Sequence, residues 1–202
     1  MNLLIISSSQ RAASQSDKVG RYLSESETQF EQINYVELCR YQIPFWDGSQ
    51  ESKAALGSDW SALNDLVATA DAMILITPEW GGMASPILKN FLLMCDNQTT
   101  AHKPALLVSV SSGISGAYPI AELRMNALKN NKMIALPDHL IIRDVTQMLE
   151  ADSKDNSRDQ QLRQRISYSQ HMLYQYAQAL AVIRHNHQHK PYPKQQEYIY
   201  GM

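Results

Sequence analysis

Long apolar runs are missing from this chain of 202 residues. No stretch approaches the ~18 consecutive apolar residues that cross a bilayer, so no membrane partner is expected. The first apolar run is only Leu3 to Ile6, and Met1-Asn2 ahead of it carries no basic residue, so no secretory leader is expected either. Cysteine is scarce. Cys39 and Cys95 are the two present, they form no C-x-x-C, and they read as reduced thiols in a cytoplasmic protein. Cys95 falls in an apolar helical stretch and reads as core. Charge of one sign is also missing: the net charge is −2, with no Lys/Arg cluster, which removes nucleic acid and anionic lipid from the expected partners. Neither G-x-x-x-x-G-K-S/T nor G-x-G-x-x-G occurs. No triad and no paired-carboxylate site stands out, so no catalytic side chain and no metal ligand is assigned.

What is present is ordinary globular composition, 44% hydrophobic and 19% charged, in a chain long enough to bury one full core. Apolar strands alternate with helical patterns. Strands are expected at 3–7, 33–38, 72–77 and 105–110, with a fifth within 134–142 whose edges Pro137 blurs. Met73 to Ile76 do not alternate with polar residues, which suits a central parallel strand covered on both faces. Helices are expected at 17–24, at 119–130 and over a stretch where Trp60, Leu63, Leu66, Val67 and Ala70 share one face. Another starts at Ser85-Pro86, a favoured cap and first-turn pair. A polar spacer at 152–159 precedes a long helix over about 158–184, with Leu162, Ile166, Leu173, Tyr176, Ala177 and Leu180 as its stripe. Residues 1–184 form one domain in this reading, and 185–202 an extended polar tail. The alternation predicts an α/β fold, a doubly wound parallel sheet. In the order 2-1-3-4-5, ligands bind beyond the carboxyl ends of strands one and three.

The loop after strand one points to chemistry. Ser7, Ser8, Ser9, Arg11, Ser14 and Ser16 put hydroxyls and one guanidinium where a helix begins. Backbone N–H groups and the positive end of a helix favour an anion there, so phosphate binding is expected. Serines are also common helix caps with no anion near them. The glycine-containing turn after strand three, Pro78 to Ala84, would face the same crevice.

These stretches resemble the NADPH-dependent FMN reductase family, which includes quinone, azo-dye and chromate reductases on a flavodoxin-like three-layer sandwich. The family's G-S-x-R-x-x-S-x-N is matched by Ser8-Ser9-Gln10-Arg11-Ala12-Ala13-Ser14-Gln15-Ser16. Its P-E-Y-N-x-S-x-P-x-x-L-K-N is matched by Pro78-Glu79-Trp80-Gly81-Gly82-Met83-Ala84-Ser85-Pro86-Ile87-Leu88-Lys89-Asn90, with Leu88 one position early. A third segment, S-x-x-G, is similar at Ser111, Ser112, Gly113 and Gly116. The likeness covers about residues 1–145. Four positions depart from the pattern: Ser8 for Gly, Ser16 for Asn, Trp80 for Tyr and Gly81 for Asn.

The resemblance implies FMN as cofactor, with Ser9, Arg11, Ser14, Gln15 and Ser16 at its phosphate. Pro78, Glu79, Trp80, Gly81 and Gly82 would border the ring, and Ser111 and Gly113 its other edge. It implies an oxidoreductase in which NADPH or NADH gives a hydride to the flavin and leaves, and a small-molecule electron acceptor then takes two electrons at the same face. Further copies of the chain, as a homodimer or homotetramer, are the other expected partners. A flavodoxin-like electron carrier and a non-enzymatic protein with a decayed flavin pocket are the alternatives. Among other residues, Glu79 reads as facing solvent or a loop partner. His185, His187 and His189 would share one side of an extended, solvated tail. His102 and His139 read as structural, and Trp46 and Trp60 as packing. Tyr192, Tyr198 and Tyr200 are candidate contacts to a partner subunit.

Overall fold

The structure is a computed structural model, and it describes residues 1–150 and 156–198. Its elements, in chain order, are β1 Asn2–Ser7, α1 Gln15–Ser26, β2 Gln32–Glu37, α2 Gln50–Lys53, α3 Trp60–Thr69, β3 Ala72–Pro78, α4 Pro86–Met94, α5 Asn97–Thr100, β4 Pro104–Val110, α6 Ala117–Glu122, β5 Ile134–Ile142 and α7 Ser157–His189. The strands form one parallel sheet in the order β2-β1-β3-β4-β5, as expected.

Strand geometry divides the sheet's side chains between two cores, because successive residues point to opposite faces. Leu4, Ile6, Met73, Leu75, Ala105 and Leu107 pack under α3, α4 and α6, against Leu63, Val67, Leu88, Phe91 and Leu123. Leu3, Ile5, Ile74, Ile76, Leu106 and Val108 pack under α1 and α7, against Val19, Leu23, Ile166, Leu173 and Ala177. β3 and β4 are buried along their whole length, which is why they read as unbroken apolar runs. Trp60 is buried with its ring edge-on to Phe91, and Trp46 packs against the same core, so both are packing residues.

Three expectations change. The helix placed at 119–130 begins earlier, at Ala117, and after Glu122 widens into a π turn over Leu123–Ala127. There the Arg124 guanidinium donates to the carbonyls of Leu136 and Pro137 on β5, the register of which shifts against β4 around Pro137. Proline has no N–H to give the ladder, so the strand bulges there. The long helix does not stop at Arg184 but continues through His189, so the tail is not extended from 185. The apolar stripe fades after Leu180, but Arg184 is itself buried, paired with Asp71 at 3.0 Å, and keeps that face docked. The three tail histidines therefore diverge: His185 and His189 stack on one another, and His187 meets His102. Finally, Gln195–Tyr198 form a 3-10 turn. Of the expected spacer, residues 152–155 lie outside the described residues, as does Tyr200.

Candidate functional site

Three loops leave the carboxyl ends of β1, β3 and β4 and meet. The first runs from Ser8 to Ser14, the cap of α1, whose hydroxyl accepts from the Asp17 N–H at 3.1 Å. Ser9 Oγ accepts from the Arg11 N–H at 3.2 Å, and Ala13 is left-handed at φ 50°. This tight path leaves donors unused. Among the described residues, the N–H groups of Gln15 and Ser16 at the start of α1 meet no protein acceptor, nor does the Arg11 guanidinium. That guanidinium lies 5.5 Å from the centre of the Trp80 ring and so ties the first loop to the second. Asp17, an acid in the same helical turn, is occupied elsewhere: its carboxylate accepts from Tyr35 Oη at 2.7 Å and pairs with Arg21 at 3.0 Å. Burial and this same carboxylate push the Tyr35 phenol up, so it remains a donor.

The second loop is a two-residue turn. Trp80 and Met83 exchange backbone hydrogen bonds, and Gly81 and Gly82 between them sit at φ 58° and 79°. Glycine gives both central residues that conformation without strain, and asparagine is the next most tolerant, so Gly81 in place of the family's Asn keeps the turn. The Glu79 and Trp80 N–H groups are spent on Val110 O and Met83 O. Gly81 and Gly82 keep the loop's free N–H groups among the described residues, because Pro78 has none. The Glu79 carboxylate accepts from the Ser115 hydroxyl in the third loop, so it has the loop partner expected of it. There Ser111 Oγ accepts from the Gly113 N–H at 3.2 Å and lies 3.3 Å from Ser115 Oγ. The Arg11–Trp80 and Glu79–Ser115 contacts thus bring the three loops together, with Gln15 exposed at the start of α1. Met83, Ile114 and Tyr118 are large apolar side chains left exposed around these loops.

The floor is a chain of buried hydroxyls that sequence reading passed over. Ser8 Oγ donates to Ile76 O at 2.6 Å and accepts from Ser85 Oγ at 2.8 Å, and the Ser85 N–H donates to Thr77 Oγ1 at 2.9 Å. Ser8 therefore turns its hydroxyl inward and not into the crevice. Its backbone is not left-handed, so nothing there requires the family's glycine. Glu122 was also missed. It accepts from the Ala84 N–H at 2.7 Å and from Lys89 Nζ at 2.9 Å, pinning the end of the second loop. Burial raises its carboxyl, but Lys89 and the Ala84 N–H outweigh burial and hold it below the usual range. Asn90 fixes the loop near Trp46, accepting from the Trp46 N–H at 3.0 Å and donating to Pro44 O at 2.9 Å. The L-K-N motif was the available signal for both Lys89 and Asn90, and its role here is support.

The sequence profile of NADPH-dependent FMN reductases matches residues 1–147. The chain belongs to that family. Membership places it among NAD(P)H-dependent FMN oxidoreductases. Among curated relatives of the family, an NADPH azoreductase of Bacillus sp. (strain OY1-2) is 28% identical over 142 residues, 70% of this chain and 76% of that protein. An FMN-dependent NADPH-azoreductase of Staphylococcus aureus is 29% identical over 148 residues, 71% of this chain and 78% of that protein. Among solved structures, the flavoenzyme NAD(P)H:(acceptor) oxidoreductase FerB of Paracoccus denitrificans superimposes with a TM-score of 0.65 at 19% identity, covering 87% of this chain and 97% of that one. That likeness carries the flavodoxin-like fold.

The residues present suit the family's FMN. A phosphate needs donors without a competing acceptor, and the Gln15 and Ser16 N–H groups, the Arg11 guanidinium and the serine hydroxyls supply them. No helix among the described residues is long and apolar enough to cross a membrane.

Proposed function

We propose that this chain is an FMN-dependent NAD(P)H oxidoreductase that passes electrons to a small acceptor: a free flavin, a quinone, an azo compound or a metal oxyanion. The observation that carries the reading is the set of unmet donors at the start of α1, held by Arg11 against Trp80. Ser9, Arg11, Ser14 and Ser16 would hold the phosphate, and Gly81 and Gly82 offer N–H groups to the polar edge of the ring. Bound FMN supplies the two-electron chemistry, hydride exchange with the nicotinamide and then with the acceptor at one face. The chain contributes binding, orientation and exclusion of water. Met83, Ile114 and Tyr118 give the mouth an apolar rim suited to a flat, weakly hydrated acceptor. Self-association as a homodimer or homotetramer in the cytoplasm belongs to the same reading, with the exposed Tyr192 and Tyr198 as candidate contacts.

Two observations weigh against the alternatives. The inward-turned Ser8 hydroxyl argues against a decayed pocket. The near-balanced charge of −2 lacks the acidic surface an electron carrier presents to its partners. The test is the visible spectrum of the protein soaked in FMN, followed by anaerobic mixing with NADPH and with NADH. A bound flavin that either nicotinamide bleaches is the expected result. Bound flavin that neither nicotinamide bleaches makes the chain a carrier, and protein that stays colourless ends the flavin reading.

A further inference from the structure

A second cluster lies at the opposite edge of the sheet, where β4 and β5 begin. His102 precedes β4 and Lys132 precedes β5. Both have left-handed backbone, φ 62° and 56°, in a region that residues other than glycine seldom adopt. The His102 N–H donates to Lys132 O at 2.9 Å, so the two bends brace each other. Strain of this kind gathers at functional sites.

His187, near the end of α7, completes the cluster. Its Nδ1 is 3.3 Å from His102 Nε2. Beside the rings is a cavity of about 260 Å³, with Lys132, His187, Gln98, Gln188 and Gln196 among the residues that line it. No carboxylate lines it among the described residues. The neighbouring acids are engaged: Asp96 pairs with Lys53 at 2.9 Å and Glu197 with Lys194 at 3.6 Å. Among the described residues, Lys132 Nζ gives one hydrogen bond, to the neutral carbonyl of Tyr198 at 2.8 Å, and an ammonium has three to give.

The chemistry is one-sided. Burial lowers both imidazoles, and Lys132 lowers them further, so both stand neutral near pH 7. The same ammonium would repel a metal ion that sought those ring nitrogens. An anion would instead be attracted by Lys132, bonded by the carboxamide N–H groups of Gln98, Gln188 and Gln196, and met by a second proton on His187.

We propose that this cavity binds a small tetrahedral oxyanion, a phosphate or sulfate group, which would fasten the end of α7 to the loops before β4 and β5. The proposal is independent of the flavin reading, since its residues and its readout lie at the other edge of the sheet.

The test follows the histidine ring protons by NMR while inorganic phosphate, sulfate and glycerol phosphate are added in turn to the full chain. A saturable shift at His102 and His187, with their titration moved to higher pH and His185 and His189 unmoved, is the expected result. Lys132→Met and His187→Gln should each weaken binding about tenfold or more, while Lys129→Met leaves it as in the parent chain. Glycerol phosphate binding as tightly as phosphate would assign the site to phosphomonoesters, and its exclusion would assign the site to the free ion. Linear, unsaturable shifts at all the histidines, or the same affinity in both variants, would overturn the proposal.

Discussion

Restoring the family's glycine at position 8 should damage this protein. In Ser8→Gly the hydroxyl bond to Ile76 O is lost, although the Ser8 N–H, 3.0 Å from the same carbonyl, remains. That loss costs about 0.5–1.5 kcal/mol. The Ser85 hydroxyl, wholly buried, is left without its acceptor, which costs about 1–2 kcal/mol more. Glycine's greater freedom in the unfolded chain adds about 0.5–1 kcal/mol, with no left-handed φ to offset it. The sum is about 2–4.5 kcal/mol, a fall of roughly 4–18 °C in Tm for a domain of this size. Urea denaturation read by circular dichroism measures it, with an unchanged slope as the check that the unfolded state is the same. FMN titration of the same variant should show affinity equal to or weaker than that of the parent chain. A variant as stable as its parent that binds FMN tenfold more tightly would refute the reasoning, because the hydroxyl would then stand in the crevice and not beneath it.

Three further outcomes follow from the same geometry. Arg11→Ala should weaken FMN binding by roughly ten- to a hundredfold and leave riboflavin, which has no phosphate, unchanged; equal loss of both in a flavin-fluorescence titration would mean that Arg11 serves the ring and not the phosphate. Gly116→Ala puts a Cβ 2.5 Å from Ile141 Cγ2 at a φ of 108°, so a thermal melt should fall by about 2–4 kcal/mol in stability, and a midpoint unmoved by a degree would count against the αL start of α6. Glu122 is held below its unfolded value, so its contribution is complete above about pH 4.5 and is lost as pH falls through the lower, folded value. The parent chain should therefore lose more stability than Glu122→Gln between pH 5 and pH 3 in urea melts, and parallel pH profiles would show that Glu122 carries no such linkage.

The sheet was legible because its code is simple. Runs such as Met73 to Ile76, buried on both faces, have few alternatives to a central strand, and turn residues bounded each one. The three loops were legible because serine, arginine and glycine sit together at strand ends, where the fold puts ligands. What escaped was cooperative. Ser8, Thr77 and Ser85 have no local signature as a group, and the pairing of β1 with β3 is what sets the Ser8 hydroxyl against that of Ser85 and the Thr77 hydroxyl against the Ser85 N–H. Glu122 reaches Ala84 and Lys89 across the gap between α6 and α4, a contact with no local signature. The end of α7 escaped for a related reason. Its docking passes from apolar residues to Arg184 and His187, whose burial depends on Asp71 and His102, far away in sequence.

That helix also shows why the family match and the folded unit do not end together. The match stops at residue 147, and so does the part of the chain that carries the three loops. Yet the face of the sheet formed by Leu3, Ile5, Ile74, Ile76, Leu106 and Val108 is covered by α1 over only part of its width. Ile166, Leu173 and Ala177 of α7 bury the rest. A parallel sheet left bare on half a face would expose contiguous aliphatic surface, and burying such surface is worth about 25 cal/mol per Å². The part of α7 up to Ala177 is thus required by the same sheet that brings together the loops carrying Ser9, Arg11, Trp80 and Gly113. The last nine residues of α7, from Ala181 to His189, run past the opposite edge of that sheet, and there they have Asp71, His102 and Lys132 to meet. The residues beyond the match accordingly do two separable things. One completes the core under the three loops, and the other builds a cavity at the far end that holds Lys132 and no carboxylate among the described residues.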